Sequence, residues 1–337
     1  MKNYLATKIA LTGATGFVGS HLLPHLLENG AEVTCIVRKS SNKTKLPSQV
    51  KIVEADLLTG DGLASALQGQ TIFVHLAALL FGLRFSDYLE ANVQAAQSIC
   101  KTLQDLGDLA PKKVLLVSSQ AASGPSKADL PTKDDCNSAP VSGYGWSKLL
   151  AERTFQSLYQ GQLAILRPSI IYGSGDRGLL PLFQGIKKGF AVSPGFGRSF
   201  PVSIVHAEDM AQAILLALSP KASGIYHVCD DQKYTMDQFC QAIGQALGRP
   251  KTHVFHIPLP IMFFSALLAQ SAANVASFVT KKYCSANWNL DKYREAKQAG
   301  WLCSSQRLKD ELGFSPKFSL DQGMVESVAG YQKLGWL

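Results

Sequence analysis

The sequence predicts an α/β fold, a doubly wound parallel sheet followed by a smaller, mostly helical lobe. Three observations carry this. Through the first 170 residues, short apolar runs alternate with helical stretches, the pattern of βαβ units. A glycine-rich segment joins the first apolar run to the first helical stretch. After Pro168 the alternation stops, and Gly-rich loops and helices take over.

Taken in order, residues 8–11, 32–37, 50–54, 71–76, 113–117 and 163–167 read as strands, because they are short and rich in aliphatic side chains. Residues 18–28, 62–67, 86–106 and 145–159 read as helices. A parallel sheet needs helices on both faces, hence the double winding. Gly-rich loops follow at 173–178 and 193–199, then helices at 207–218, 235–247, 261–279 and 304–312. The expected domains are a nucleotide-type domain over 1–170, with a return segment at about 205–228, and a substrate lobe formed by 171–204 and 229–337. No internal repeat or long linker interrupts them.

Composition narrows the class. Of 337 residues, 46% are hydrophobic and 17% charged, which excludes a disordered or collagen-like chain. The seven cysteines are scattered without a CxxC pair, so neither a disulfide framework nor a metal site is expected, and a reducing, cytoplasmic setting is. The first residues carry no apolar signal-peptide core. The net charge of +8 is concentrated in two places. Residues 38–51 hold five basic and no acidic side chains, and residues 281–309 hold seven basic and two acidic ones. Neither shows the aromatic–basic interleaving of a nucleic-acid module, so no nucleic-acid partner is expected.

The segment Thr12-Gly-Ala-Thr-Gly-Phe-Val-Gly19 follows the first strand and opens the first helix. Small residues at such a junction allow a tight turn and close approach of a pyrophosphate, whose charge the helix N-terminus favours. Gly13, Thr15, Gly16, Phe17, Val18 and Gly19 are therefore candidate contacts of a dinucleotide cofactor. The second strand ends in Val37-Arg38, where an NAD-selecting site would usually carry an acid. Arg38, in its acid-free neighbourhood, suits a 2′-phosphate and favours NADP(H) over NAD(H). The alternative is a solvated loop that happens to be basic. Asp56 and Leu57 suit the adenine edge of the pocket, and Ala77, in His75-Leu-Ala-Ala78, a strand end beside the cofactor.

Tyr144 and Lys148 stand four apart on one helix face. A nearby ammonium favours the phenolate and makes Tyr144 a usable acid/base, although a phenol's ordinary pKa is about 10. Ser119 lies at a strand end, where its hydroxyl can hold a substrate oxygen.

Together these residues resemble the extended short-chain dehydrogenases/reductases of the NAD-dependent epimerase/dehydratase family, over nearly the whole chain. The likeness covers Thr12–Gly19, Asp56-Leu57, the segment 75–78, Asn92, Ser118-Ser119, Tyr144 to Lys148, Arg167-Pro168, Tyr172-Gly173, and His206 with Asp209. It implies a Rossmann domain, with Tyr144 as general acid/base, Lys148 binding the nicotinamide ribose and Ser119 orienting substrate. It also implies a homodimer. The departures are as informative. Dehydratases of this family place an Asp-Glu pair where this chain has Gln120-Ala121. Sugar-nucleotide epimerases usually carry an Arg at the position of Val202 and an Asn at that of Ser169. The Val37-Arg38 ending instead resembles the branch of dihydroflavonol-reductase-like and 3β-hydroxysteroid-dehydrogenase-like enzymes. The reading is thus an NAD(P)-dependent oxidoreductase acting on a secondary alcohol or ketone of a small hydrophobic substrate. An epimerase and a non-catalytic NADP-binding subunit are the alternatives.

From 257 to 280 no residue is charged, and Lys281-Lys282 follow. Pro258, Pro260, Gln270 and Asn274 weigh against a transmembrane helix. The run reads first as a helix packed in the substrate lobe or lining an apolar pocket. A peripheral membrane contact through 257–282 is the second reading.

Overall fold

In a computed structural model, described here for residues 4–127, 129–195, 200–281, 284 and 286–337, the chain forms one large sheet and three small ones. Lys282 and residues 196–199 of the loop expected at 193–199 lie outside the described residues. The strands are β1 (Lys8–Thr12), β2 (Glu32–Val37), β3 (Lys51–Glu54), β4 (Ile72–His75), β5 (Lys113–Val117), β6 (Gln162–Pro168), β7 (Ile170–Tyr172), β8 (Phe190–Pro194), β9 (Pro201–Val202), β10 (Ile204–His206), β11 (Gly224–Val228), β12 (Tyr234–Thr235) and β13 (His253–Ile257). The helices are α1 (Phe17–Glu28), α2 (Leu63–Leu67), α3 (Phe85–Tyr88), α4 (Ala95–Leu106), α5 (Gly143–Leu158), α6 (Leu180–Lys187), α7 (Ala207–Ala217), α8 (Met236–Ala246), α9 (Leu259–Thr280), α10 (Leu290–Ala296), α11 (Gln306–Leu312) and α12 (Leu320–Lys333).

The large sheet runs β11-β6-β5-β4-β1-β2-β3, every pairing parallel. This is the Rossmann order, extended by β11 beside β6. Side chains alternate across it. Ile9 and Leu11 of β1 enter a core with Leu22 and Leu26 of α1 and Met210 and Ile214 of α7. Ala10 between them enters the opposite core, with Leu63, Ile99 and Phe155 from α2, α4 and α5. Both faces are thereby covered, as the near-continuous apolar strands require. The chain order reverses between β1 and β4, which leaves a crevice at their C-terminal ends.

A third core builds the lobe. It joins Phe183 and Ile186 of α6, Phe239 and Ile243 of α8, and Met324, Val328 and Tyr331 of α12. The sequence reading missed α6, α10 and α12. Two glycines disguise α12: a Cβ on Gly323 would meet the Tyr172 hydroxyl at 2.3 Å, so this apparent helix breaker is what lets α12 lie against Tyr172.

Two expectations need correction. The helix foreseen over 86–106 is broken into α3, a π-helical turn at Leu89–Gln94, and α4. Asn92 sits in that turn, buried, its Oδ1 accepting from Leu79 N at 2.9 Å and its Nδ2 donating to Ser147 Oγ at 2.9 Å. Such turns recur at functional sites. The apolar run does form a helix, but it is not packed in the lobe. Only Met262, Ala266 and Ala273 of α9 are buried, while Phe264, Leu268 and Phe278 are 60%, 70% and 87% exposed.

Candidate active site

The cradle begins where β1 ends. Gly13 has φ +74, and a Cβ there would sit 3.0 Å from Ala77 N. A Cβ on Gly19 would lie 2.2 Å from the Gly13 carbonyl oxygen. Glycine is therefore sterically required at both positions. Gly16 caps α1 without any side-chain acceptor, and the first turn of α1 holds no acid. The N–H groups of a helix's first turn lack intrahelical acceptors, so such an uncapped start suits an anion such as a pyrophosphate. Thr12 Oγ1 lies 2.7 Å from His75 Nδ1 and accepts from Leu76 N and Ala77 N, tying β1 to β4 at the crevice. Burial, then the Lys148 charge, push His75 down to about 3, so its ring is neutral.

Arg38 is exposed just past β2. The acid-free appearance of its segment is partly undone in three dimensions: Lys43 pairs with Glu54 of β3. Asp56, past β3, accepts from Leu58 N at 2.7 Å. Both residues stand at the C-terminal edge of the sheet, beyond neighbouring strands.

Ser119 follows β5 and caps a short 3-10 turn, its Oγ accepting from Ala121 N at 3.1 Å. Tyr144 sits in the first turn of α5, whose cap is Ser142. Burial raises the Tyr144 pKa, while the Lys292 charge and a hydrogen bond with the Ser119 side chain pull it back. One turn on, Lys148 is buried and donates from Nζ to the Val117 carbonyl at 2.8 Å. Burial lowers its pKa to about 8, against the opposing pull of Glu152. It therefore stays an ammonium at neutral pH.

The sequence reading missed the grip of α10 on this helix. Asp291 accepts from Gly143 N at 2.6 Å and from Tyr144 N at 3.1 Å. Ser142 Oγ donates to Glu295 at 2.7 Å. Between them, Lys292 Nζ lies 4.8 Å from the Tyr144 ring centre and 2.9 Å from Glu295. Burial works against the Lys292 charge, but Glu295, Tyr144 and Asp291 outweigh it and raise its pKa. The second basic cluster is thus partly paired within the chain. Lys292 faces Tyr144, Arg307 pairs with Glu311, and Lys309 pairs with Asp231. The only sequence signal was the Asn289 cap followed by charges three and four apart.

Beneath the site runs a buried polar network. Ser118 donates to Glu152, and Arg167 reaches the same carboxylate with Nε at 3.0 Å and Nη2 at 2.6 Å. Arg167 also donates to Ser123, which contacts His227, which in turn contacts Asp134. His206 and Asp209, part of the family likeness, have structural partners. His206 stacks on Phe318, and Asp209 accepts from Lys317 N and Phe318 N. Beside α5 lies a cleft of about 510 Å³, walled by Leu83, Tyr88, Trp146, Gln270, Leu290 and Arg294. Among the described residues, no cluster of His, Cys, Asp and Glu is arranged to hold a metal ion.

Residues 9–229 match the model of the NAD dependent epimerase/dehydratase family. Ceramide reductase of Caulobacter vibrioides is 26% identical over 332 residues, covering 98% of this chain and 96% of that protein. The decarboxylating sterol-4-alpha-carboxylate 3-dehydrogenase of Dictyostelium discoideum is 24% identical, covering 94% and 99%. Among solved structures, MoeE5 in complex with UDP-glucuronic acid and NAD superposes with a TM-score of 0.74 at 22% identity, covering 97% and 99%.

Proposed function

The chain belongs to the NAD dependent epimerase/dehydratase family, and we propose that it is an NADP(H)-preferring oxidoreductase acting on a secondary alcohol or ketone of a hydrophobic substrate. The observation that carries this is the convergence on Tyr144 of Ser119 from the sheet edge and Lys292 from the lobe, above the buried Lys148.

The cradle fits a dinucleotide, because the steric demand at Gly13 and Gly19 and the uncapped start of α1 are what close pyrophosphate approach needs. Gly13, Thr15, Gly16, Phe17, Val18 and Gly19 would hold the pyrophosphate end, Asp56 and Leu57 the adenine, Ala77 the strand end beside it, and Arg38 a 2′-phosphate. The nicotinamide, when bound, supplies or accepts the hydride. The chain does the rest. Ser119 holds the substrate oxygen through its hydroxyl. Tyr144 gives that oxygen a proton during reduction and takes it back during oxidation. Lys148 and Lys292 stabilise the phenolate left behind.

Ceramide reductase and the sterol dehydrogenase are named for hydrophobic substrates, which supports a substrate of that kind here. The epimerase reading draws on neighbours such as MoeE5, which binds UDP-glucuronic acid. Against it, the position where sugar-nucleotide epimerases usually carry a phosphate-holding Arg is Val202, fully buried in the lobe core. A non-catalytic NADP-binding subunit would have no use for the Ser119–Tyr144–Lys148 set.

The test is NADPH oxidation across a panel of long-chain ketones, set beside thermal stabilisation by UDP-sugars. Ketone-dependent NADPH consumption supports the proposal. UDP-sugar stabilisation without net NADPH consumption replaces it with the epimerase. Arg38→Ala is expected to weaken NADP(H) binding about tenfold, roughly 1.4 kcal/mol, and to spare NAD(H). Equal weakening of both in a fluorescence titration removes the 2′-phosphate assignment.

A further inference from the structure

Helix α9 is built inside out. At 22 residues it is about 33 Å long. Ile261, Phe263, Phe264, Leu267, Leu268, Val275, Phe278 and Val279 are all exposed. On a helical wheel these eight span an arc of about 160°, and the buried Met262, Ala266 and Ala273 fall on the opposite side. The helix thus rests on the protein through Met262 and two alanines and turns most of its other large apolar side chains outward. The strand pair leading into it continues the pattern. In the β8/β13 ribbon Val192 pairs with Phe255, and both are exposed, as is Phe190. Soluble monomers rarely expose an apolar surface of this extent without a partner for it.

Charge says which partner. Residues 249–290 contain no Asp or Glu, yet they contain Arg249, Lys251, Lys281 and Lys282. Basic residues therefore stand before and after an uncharged apolar helix. Such a surface complements an anionic bilayer, with the apolar face in the acyl boundary and the cations among the headgroups. A second copy of this chain would set one acid-free basic segment against another. The helix is also tied to the protein along its first half. Trp288 Nε1 donates to Ser265 Oγ at 3.0 Å, Leu290 N donates to Gln270 Oε1 at 3.2 Å, and Phe263 packs on Tyr293 of α10. These ties hold α9 against the lobe, in the attitude of a helix lying in the membrane plane.

We propose that α9, with the exposed face of the β8/β13 ribbon, docks this protein onto the surface of an anionic lipid bilayer. The docked face adjoins the active site. Gln270 of α9 walls the cleft at the start of α5, and α10, packed on α9, carries Lys292 to Tyr144. A substrate drawn from the lipid phase would thus arrive on the side of the protein where α10 meets Tyr144. This access role rests on the hydrophobic substrate proposed above, whereas the docking itself does not.

The test is flotation of the full chain with phosphatidylglycerol-containing vesicles and with pure phosphatidylcholine vesicles, without cofactor or substrate. Binding is expected to the anionic vesicles, weaker to the neutral ones, and weakened by salt. The triple variant Phe264→Asn, Leu268→Asn, Phe278→Asn is expected to lose at least about tenfold in partitioning, with an unchanged melting temperature. Hydride transfer to a short water-soluble ketone, measured without vesicles, reports separately on the proposed reaction and is expected to survive in the variant. Absence of vesicle binding by the parent chain overturns the docking. So does light scattering that finds a dimer in the parent and a monomer in the variant, since the face would then join two copies.

Discussion

Helices α5 and α9 break the same rule in opposite directions. α5 carries Lys148 and Glu152 into the interior, each nearly devoid of solvent contact, while α9 turns phenylalanine and leucine outward. Buried charge and exposed apolar surface are both costly, and each needs a reason. For α5 the reasons lie within the chain: the Val117 carbonyl holds Lys148, and Ser118 and Arg167 hold Glu152. For α9 the described residues leave most of the outward arc exposed, although Phe263 packs on Tyr293. One helix is finished by the fold, and the other is finished by something the fold meets.

The largest effect expected is on the α5 side. Tyr144→Phe should lower turnover about 10²- to 10⁴-fold, the usual contribution of a positioned acid/base, with cofactor binding intact by fluorescence titration. A variant that keeps most of its activity would reduce α5 to an ordinary helix. Glu152→Ala should cost about 3–5 kcal/mol in denaturant unfolding, because it strands the buried Arg167 guanidinium. A loss below about 1 kcal/mol would mean that water replaces the carboxylate.

Lys292→Met tests whether the lobe tunes the Tyr144 phenol. The Lys292 charge lowers the Tyr144 pKa, so removing it raises that pKa. The phenolate that the proposed alcohol oxidation requires then forms at higher pH. The acidic limb of the kcat/KM profile for oxidation should move to higher pH, and an unmoved limb leaves Lys292 a packing residue. The smallest effect belongs to α9. Phe278→Ser should change stability by no more than about 0.5 kcal/mol, as at an ordinary surface position. A cost of about 3 kcal/mol, typical of core phenylalanines such as Phe155 of α5, would erase the contrast between the helices.

The two helices also mark how far the sequence could be read. The glycine loop, β1 to β6 and the Tyr144–Lys148 spacing are local patterns, and each stands in the structure within a residue or two of its expected place, whereas β11 was foreseen only as part of a return segment. The clamp of Asp291, Lys292 and Glu295 is not local. These residues lie about 150 positions from Tyr144, and in one dimension their charges look like a solvated surface. The π-helical turn around Asn92 was hidden because the apolar spacing on either side fits one continuous helix. The exposure of α9 was hidden for a related reason. A segment apolar on nearly all sides has a clear helical identity but no marked inner face, so periodicity cannot say which side the protein covers.

The Asp291 cap has a consequence for motion. Gly143 N–H and Tyr144 N–H belong to the first turn of a helix, where no intrahelical carbonyl is available to them. Their acceptor is a carboxylate on α10. When α10 swings away, both protons lose that carboxylate and are delivered to solvent. Deuterium uptake at these two amides therefore counts openings of the lobe, separately from global unfolding. The backbone beside the Tyr144 phenol carries its own clock for how often the site is unlatched.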